Sequence, residues 1–330
     1  MKKTLLSISL MAMSAPTFAI QNGTPESPAN FPSLVTMNCT GTIIAGNWVM
    51  TAKHCNEQSV TLVGAKGQNG ASTVAITKQE KHGDADFALW QLSDIPQVDK
   101  SLFLSTESVT NDKEQIFNIY GFGQTGTNLN SAQYQIHGNY NSPEILDLDP
   151  ITDGRGVPGD SGGPIVNSNK KVIAFTTGGN AETDGKVASV RMTYVSDFIL
   201  STINAWHHPT IGSVAAGQST TIEVQSLHAN PVTDTAFRTG DIEIDVANSS
   251  CMTGQVQPFD ICTYTVSSKN GYEGVLTLED GHTVTFNKGK SEIITPPTPE
   301  PAPDSSGGGA LGFLGLLGLG LVTLRRQFAR

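Results

Sequence analysis

Short apolar runs separated by glycine, asparagine and proline dominate the chain from Ile20 to about Trp206. Typical runs cover residues 41–45, 47–51 and 171–175, and they are rich in β-branched and aromatic residues. Runs of this length and composition, bounded by turn residues, predict β-strands. We therefore expect this region to be all-β, with its strands forming a barrel or a sandwich.

One stretch of this region has the spacing of a helix. Between Tyr194 and Ile203, the apolar residues Val195, Phe198 and Ile199 recur every three or four positions. This period predicts an amphipathic helix. We expect a single helix that closes the region near residue 203.

A second β pattern follows, from residue 207 to about 292. Apolar and polar residues alternate in 221–224, 241–246 and 274–278. Alternating strands at such intervals favour a small immunoglobulin-like sandwich. Cys251 and Cys262 lie in it and could close a short loop. It carries no catalytic pattern, so we interpret it as an accessory or binding module.

The two ends of the chain have the composition of sorting segments. A basic start, an apolar stretch and small residues ending at Ala19 predict a secretory signal over 1–19. A proline- and glycine-rich linker covers 293–309. The apolar stretch and final arginines of 310–330 resemble the GlyGly-CTERM sorting signal of Gram-negative bacteria.

That resemblance implies a route through the cell. The chain would be exported to the periplasm and held transiently at the membrane by its tail. A rhomboid-type protease would cut the tail, and type II secretion would deliver the product to the cell surface or the medium. The alternative for the tail is a plain membrane anchor, although its apolar run is short of the roughly 20 residues that span a bilayer comfortably.

Composition and charge exclude some classes of function. The 330 residues carry a net charge of −10, with 38% hydrophobic and 15% charged residues, which fits a chain with an ordinary core. Without the two lysines of the signal and the three arginines of the tail, 15 basic and 30 acidic residues remain, a net charge of −15. An acidic chain lacks the electrostatic footprint of a nucleic-acid-binding protein.

Three short motifs carry residues suited to acyl transfer. They are Thr-Ala-Lys-His-Cys at 51–55, Asp-Phe-Ala-Leu-Trp at 86–90 and Gly-Asp-Ser-Gly-Gly-Pro at 159–164. A serine hydroxyl needs a base to remove its proton, and imidazole titrates near neutral pH. The order His, Asp, Ser is the chymotrypsin-like order and differs from that of lipases and esterases.

With these motifs the region 20–206 resembles trypsin/chymotrypsin-like serine endopeptidases, including secreted trypsin-like proteases of Vibrio that carry such a tail. Further matches are the sixteen-residue spacing of Cys39 and Cys55, the turn at 121–125 and the strand 176–178. The resemblance implies a two-barrel fold and hydrolysis of protein or peptide substrates. It also implies a Cys39–Cys55 disulfide and substrate pairing at Thr176 and Gly178.

The resemblance also assigns catalytic roles. Ser161 would be the nucleophile, His54 its general base and Asp86 the group that orients the imidazole, with Asp84 as the alternative to Asp86. The N–H groups of Gly159 and Ser161 would form the oxyanion hole. Asp160 would pair with a new amino terminus at Ile20. Because the signal is expected to end at Ala19, its removal alone would create that terminus, without a propeptide.

The pocket for the residue before the scissile bond (P1) departs from the family pattern. Arg155 stands where trypsin-like specificity needs an aspartate, and Val157 replaces the usual cysteine. Three alternatives stay open. The pocket is basic; or the guanidinium is turned away, paired with Asp153 or Asp184, which leaves a small or apolar pocket; or a one-residue shift places Asp153 at the base.

No set of side chains has the spacing of metal ligands, and we expect neither a metal nor a cofactor. We interpret His207 and His208 as solvated residues of the junction between the two β regions. The alternative to a protease is a catalytically inactive, protease-like adhesin or binding protein, against which the complete set of three motifs argues.

Overall fold

The computed structural model describes residues 19–109, 115–123, 125–137, 142–179 and 184–292. The contacts group the chain up to Ser291 in one compact unit. The predicted signal up to residue 18, the linker and the sorting tail lie outside the described residues. Within the described part of the chain, no helix is both long enough and apolar enough to cross a membrane.

The first barrel has six antiparallel strands that close because its first strand pairs with both the second and the fourth. Val49, Leu62 and Trp90 fill its interior. A disulfide joins Cys39 to Cys55, as the resemblance implied. After β1 (Thr24–Glu26), which lies outside this barrel, its strands are β2 (Leu34–Thr36), β3 (Thr40–Ile44), β4 (Trp48–Thr51), β5 (Ser59–Leu62), β6 (Thr73–Lys81) and β7 (Ala88–Leu92).

The second barrel also has six strands, and β1 extends it by pairing with one of them. Its strands are β8 (Phe117–Gly121), β9 (Leu129–Ile136), β10 (Ile145–Pro150), β11 (Pro164–Val166), β12 (Val172–Gly179) and β13 (Val187–Arg191). The barrel closes because β8 pairs with both β9 and β11. Ile20 and Tyr134 are among its fully buried residues.

Helix α1 (Met192–Ile203) follows directly and confirms the predicted helix, which begins two residues earlier than expected. Its buried face consists of Met192, Val195, Ile199 and Ile203. The helix ends at Asn204, which adopts a left-handed conformation (φ 45°), a common way for a helix to stop.

The remaining strands form a sandwich (residues 205–287) of two four-stranded sheets, as the alternation predicted. One sheet has the order β14-β16-β21-β19 and the other β15-β23-β22-β18, with a two-stranded β17-β20 pair beside them. The strands are β14 (Ala205–His207), β15 (Ile211–Gly212), β16 (Gln218–Leu227), β17 (Val232–Thr233), β18 (Phe237–Gly240), β19 (Glu243–Asp245), β20 (Gln255–Val256), β21 (Ile261–Ser268), β22 (Gly274–Glu279) and β23 (His282–Phe286).

The sandwich has its own core, to which Trp206, Tyr264 and Phe286 contribute. A disulfide joins Cys251 to Cys262 within it. The all-β prediction of two barrels followed by a small immunoglobulin-like sandwich is therefore confirmed. Single-turn 3-10 helices cover Pro28–Asn30, Val246–Asn248 and Ser250–Met252.

One prediction at the junction of the barrels and the sandwich is wrong. His207 and His208 are 1% and 3% exposed and are not solvated. The expected boundary between residues 206 and 207 falls inside β14. A single hydrophobic cluster runs through both barrels, α1 and Leu227 of the sandwich. No pattern in the sequence indicated this burial, because His207 bonds to Ala45 and Leu102, and His208 to His282, all far away in the chain.

Candidate active site

Two neighbouring strands of the first barrel place His54 beside Asp86. Strand β4 ends three residues before His54, and β7 begins two residues after Asp86. The two strands are antiparallel, with Thr51 opposite Ala88, so both residues leave the same end of the barrel.

The Asp86 carboxylate makes two hydrogen bonds to His54. One oxygen accepts the backbone N–H of His54 at 2.9 Å, and the other lies 2.7 Å from its Nδ1. With Nδ1 donating to the carboxylate, Nε2 is left as the basic nitrogen of the ring. The side chains are 49% and 34% exposed. Asp84, the alternative partner, instead has its backbone N–H bonded to His82.

Ser161 lies in the turn that leads into β11, and backbone hydrogen bonds fasten this turn on two sides. The N–H of Gly162 donates to the carbonyl of Thr176 on β12 at 2.6 Å. From the first barrel, the N–H of Thr40 donates to the carbonyl of Ser161 at 2.9 Å. The position of Ser161 therefore depends on both barrels.

Glycine is required at position 159 by conformation and by space. Its φ is +99°, and an added Cβ would lie 2.3 Å from the carbonyl oxygen of Gly123. The Thr40 hydroxyl donates to the Gly159 carbonyl at 3.0 Å. No acceptor among the described residues takes the N–H groups of Gly159 and Ser161.

Thr40 is a contributor that the sequence analysis missed. Its hydroxyl accepts the N–H of Phe122 and donates to Gly159, and its backbone N–H holds Ser161. The only signal was its place next to Cys39, which says nothing about a hydroxyl that reaches the other barrel.

The Ser161 hydroxyl and the His54 ring are not hydrogen-bonded to each other in this structure. The hydroxyl donates to the carbonyl of Thr177 at 3.4 Å, a long contact. A proton could pass between the two groups only after the hydroxyl turned from Thr177 toward the imidazole. Hydrogen bonds of this kind are often long without substrate.

Asp160 is buried beneath the turn, with 1% of its surface exposed. Its carboxylate accepts the N–H groups of Gly123 and Val157, each at 2.8 Å. Gly121 leaves room for it, because an added Cβ there would lie 2.1 Å from a carboxylate oxygen. Burial raises the pKa of Asp160 to about 7, and hydrogen bonds from Val157, Gly123 and Ile20 offset part of the increase.

Ile20, the other half of the expected activation pair, lies next to Asp160. Its backbone lowers the pKa of that carboxylate, and its side chain is fully buried in the second barrel. The carbonyl of Ala19 accepts a hydrogen bond from the Asn130 amide. In the uncut chain the Asp160 carboxylate thus meets a neutral peptide N–H at this position.

Arg155 is held by its own loop. Its guanidinium donates to the carbonyls of Thr152 and Gly154, at 2.5 and 2.9 Å. Its side chain also covers Gly185, where an added Cβ would lie 1.9 Å from the arginine Cδ. Among the three alternatives from the sequence, this geometry is nearest to the turned-away guanidinium, with backbone carbonyls as its partners.

Beside this loop, Val187 is buried in the second barrel, whereas Gly178 faces open space. An added Cβ on Gly156 would lie 2.9 Å from a methyl group of the buried Val187. Gly178 of β12 faces open space, with nothing within 4 Å of an added Cβ. Thr176, by contrast, is buried at 2% exposure. On the other side of Gly159, a cavity of about 440 Å³ is lined by Met37, Asn38, Gly123, Gly126 and Pro158.

Cys39, His54 and Cys55 bring potential metal-ligand atoms within 4.8 Å of one another. Both sulfurs belong to the disulfide, so neither offers the thiolate that a metal would need.

A family model described as trypsin matches residues 20–199 of the chain, which cover both barrels and most of α1. The chain belongs to the trypsin family. It is 28% identical over 154 residues to an uncharacterized peptidase of Corynebacterium glutamicum (strain R), covering 44% of this chain and 55% of that protein. It is also 28% identical over 193 residues to a collagenase of Hypoderma lineatum, covering 49% of this chain and 74% of the collagenase. The chain thus spans about half the length of the first of these relatives.

Solved structures with a similar fold include the VesB protease of Vibrio cholerae, at 18% identity and a TM-score of 0.46 over 81% of this chain and 99% of that one. Mouse neuropsin, a serine protease, matches at 18% identity and a TM-score of 0.47, over 55% of this chain and 99% of neuropsin.

Proposed function

We propose that this protein is a serine endopeptidase that hydrolyses peptide bonds through an acyl-enzyme on Ser161. The observation that supports it most is the pair of hydrogen bonds that His54 donates to the Asp86 carboxylate, on the barrel next to the glycine-bounded turn of Ser161. Membership of the trypsin family supports the same reaction class.

In the proposed mechanism His54 takes the Ser161 proton as the oxygen attacks the substrate carbonyl. Asp86 keeps Nδ1 protonated, orients the ring and stabilises the imidazolium. The N–H groups of Gly159 and Ser161 donate to the oxyanion, and one such donor is worth about 2.7–4 kcal/mol in other serine proteases. His54 then gives its proton to the leaving amine, and water hydrolyses the acyl-enzyme with His54 again as base.

The proposed substrate is an extended peptide that pairs with β12 at Thr176 and Gly178. The open space at Gly178 supports this proposal, since a second chain can approach there. We expect a small, neutral P1 side chain, because Arg155 stands in place of the usual aspartate and its guanidinium is held by carbonyls of its own loop. The cavity lined by Met37, Asn38 and Pro158 would take residues after the scissile bond.

We further propose that removal of an export signal after Ala19 activates the enzyme. The new ammonium of Ile20 would form where the Ile20 backbone already lowers the pKa of Asp160. A buried carboxylate with a raised pKa gains strongly from an adjacent cation. Two intramolecular disulfides fit an exported protein. Secretion by a type II system after rhomboid-type processing of the tail remains part of this proposal.

A fluorophosphonate probe tests the central claim. We expect covalent labelling of the wild-type protein at Ser161, loss of labelling in Ser161→Ala, and cleavage of a denatured protein substrate by the wild type alone. A well-folded wild type that neither reacts nor cleaves would favour the inactive binding protein. Amino-terminal sequencing of the exported protein tests the activation step, and a terminus other than Ile20 contradicts it.

A further inference from the structure

The sandwich contacts the segment that connects the two barrels, here called the interbarrel segment (residues 93–109). Gln225 of β16 is fully buried at this contact. Its side-chain oxygen accepts the N–H of Leu104 at 2.9 Å, and its side-chain nitrogen donates to the Leu104 carbonyl at 2.7 Å. The same nitrogen donates to the carbonyl of Phe259 at 2.9 Å. One amide thus satisfies both backbone groups of Leu104, as a neighbouring strand would.

Thr210 makes a second attachment of the same kind. Its hydroxyl accepts the N–H of Val98 at 2.8 Å and donates to the carbonyl of Pro96 at 2.5 Å. Its own N–H donates to the Val98 carbonyl at 2.8 Å. Thr210 is 4% exposed, so these bonds are shielded from water.

His207 links the interbarrel segment to the first barrel. Its Nδ1 accepts the backbone N–H of Ala45 at 3.1 Å, and its Nε2 donates to the carbonyl of Leu102, also at 3.1 Å. These partners fix a neutral imidazole, because a backbone N–H only donates and a carbonyl only accepts.

The opposite edge of the interbarrel segment is paired with the second barrel. The N–H of Val172 donates to the carbonyl of Phe103, and the N–H of Ser105 donates to the carbonyl of Val172, both at 2.8 Å. The segment is therefore enclosed between the sandwich and the first residue of β12.

Ala45 and Val172, the barrel residues that these contacts reach, are each one strand away from the candidate site. The turn at Ala45 leads into β4, which ends just before His54. Val172 begins β12, whose residues Thr176 and Thr177 contact the Ser161 turn. A shift of the interbarrel segment would therefore be transmitted along β4 and β12 to both halves of the site.

We propose that the sandwich is part of the catalytic scaffold, in which Gln225 and Thr210 are positioning residues that hold His54 and Ser161 in register through the interbarrel segment. This rests on the proposed function, since the register matters only if these two residues react together. A misplacement of about 1 Å can cost about 100-fold in rate. This role differs from the accessory or binding module that the sequence suggested for this region.

The test compares Gln225→Met with Gln218→Met in the full chain. Both changes replace an amide by an apolar side chain of similar length on the same strand, but Gln218 is exposed and donates to the adjacent Gly217 carbonyl. We expect Gln225→Met to slow fluorophosphonate labelling of Ser161 and to lower kcat at least tenfold, while KM changes less than threefold. Gln218→Met should match the wild type in all three.

If Gln225→Met does not fold, Thr210→Val with Thr220→Val as its control repeats the test. Hydrogen exchange at the Leu104 amide measures whether the contact with Gln225 itself is lost. Faster exchange together with slower labelling supports the inference. A folded Gln225→Met or Thr210→Val protein that is labelled at the wild-type rate overturns it. An unlabelled wild-type protein instead overturns the proposed function, and this inference with it.

Discussion

The first barrel holds its part of the candidate site by side chains, and the second barrel holds its part by backbone. His54 and Asp86 are joined by a pair of hydrogen bonds at strand ends and stay half-exposed. Ser161 lies in a turn fastened through Gly162 and Thr176, above a buried carboxylate. Among the described residues, Thr40 bonds this turn to the first barrel, by its hydroxyl to Gly159 and by its backbone N–H to Ser161.

Because of this difference, substitutions in the two barrels should affect catalysis and stability in different proportions. An exposed side chain can be removed with little loss of packing. Substitutions of His54 or Asp86 in the first barrel should therefore affect the reaction and leave the fold intact. A turn with positive φ angles and close backbone contacts depends on the residues that permit it. Substitutions in the Ser161 turn of the second barrel should therefore affect folding and reaction together.

The largest expected effect is a loss of activity when a catalytic side chain of the first barrel is removed. His54→Ala should lower kcat/KM by about 10⁶-fold, as loss of the base does in other serine proteases. The free energy of unfolding should change by less than about 1 kcal/mol, because surface substitutions have small effects. Peptide kinetics and urea denaturation measure the two. A loss of stability as large as that at position 159 would contradict the comparison.

Gly159→Ala should lower both kcat/KM and the free energy of unfolding. Its Cβ would lie 2.3 Å from the Gly123 carbonyl, at a φ of +99°. We expect the protein to lose about 4 kcal/mol of stability, together with its activity, from combined strain and overpacking. Gly83→Ala is the control, because nothing lies within 4 Å of an added Cβ there. Equal urea midpoints for the two variants would show that the turn is not strained by a side chain.

The sequence predicted the side-chain part better than the backbone part. The motifs at His54, Asp86 and Ser161 are local in sequence, and the strand periods on either side of them are clear. The hydroxyl of Thr40 and the buried contacts of His207 bridge segments more than 80 residues apart. Such contacts have no local period, so only the three-dimensional structure reveals them.

The uncut chain should be less stable at high pH because of Asp160. Its folded pKa is raised to about 7, against 3.8 as the ordinary value. The folded chain therefore binds the proton more tightly. The stabilisation is complete below pH 4 and is lost as the pH rises through 7, by up to about 4 kcal/mol.

Thermal denaturation of the uncut chain, produced without export, would measure this loss, and Asp160→Asn should remove it. In the chain cut before Ile20, the new ammonium lowers the carboxylate pKa, so the dependence should disappear or reverse. The same pH dependence in cut and uncut chains would contradict the activation pair.

His207 gives the opposite pH dependence, and a smaller one. Burial lowers its pKa to about 4, against 6.5 for the ordinary side chain. The unfolded chain therefore binds the proton more tightly. Stability is complete above pH 6.5 and is lost as the pH falls toward 4, by about 3 kcal/mol.

Since His207 joins the first barrel to the interbarrel segment, its protonation should loosen both parts of the site at once. The protection factor of the Ala45 amide, which is its unprotected exchange rate divided by the observed rate at the same pH, should fall as the pH is lowered from 6.5 toward 4. Opening of the contact frees His207 to bind a proton, and a protonated Nδ1 cannot accept the N–H. His137→Gln is the control, as that histidine pairs with Asp149 at a half-exposed site. A protection factor at Ala45 that does not change over this range would show that His207 does not bind a proton when the contact opens.

The smallest expected effect is at Arg155. Because its guanidinium is held by the carbonyls of Thr152 and Gly154, Arg155→Ala should change P1 preference by less than threefold. Cleavage of a peptide library should show small, neutral P1 residues in the wild type and in the variant, since the guanidinium bonds within its own loop. Arg238→Ala removes an equal charge far along the chain, in the sandwich, where the arginine pairs with Glu243. Arg155 would instead belong to a basic pocket if the wild type prefers acidic P1 residues and Arg155→Ala, but not Arg238→Ala, abolishes that preference. Substrate binding would then depend on a side chain in the second barrel as well.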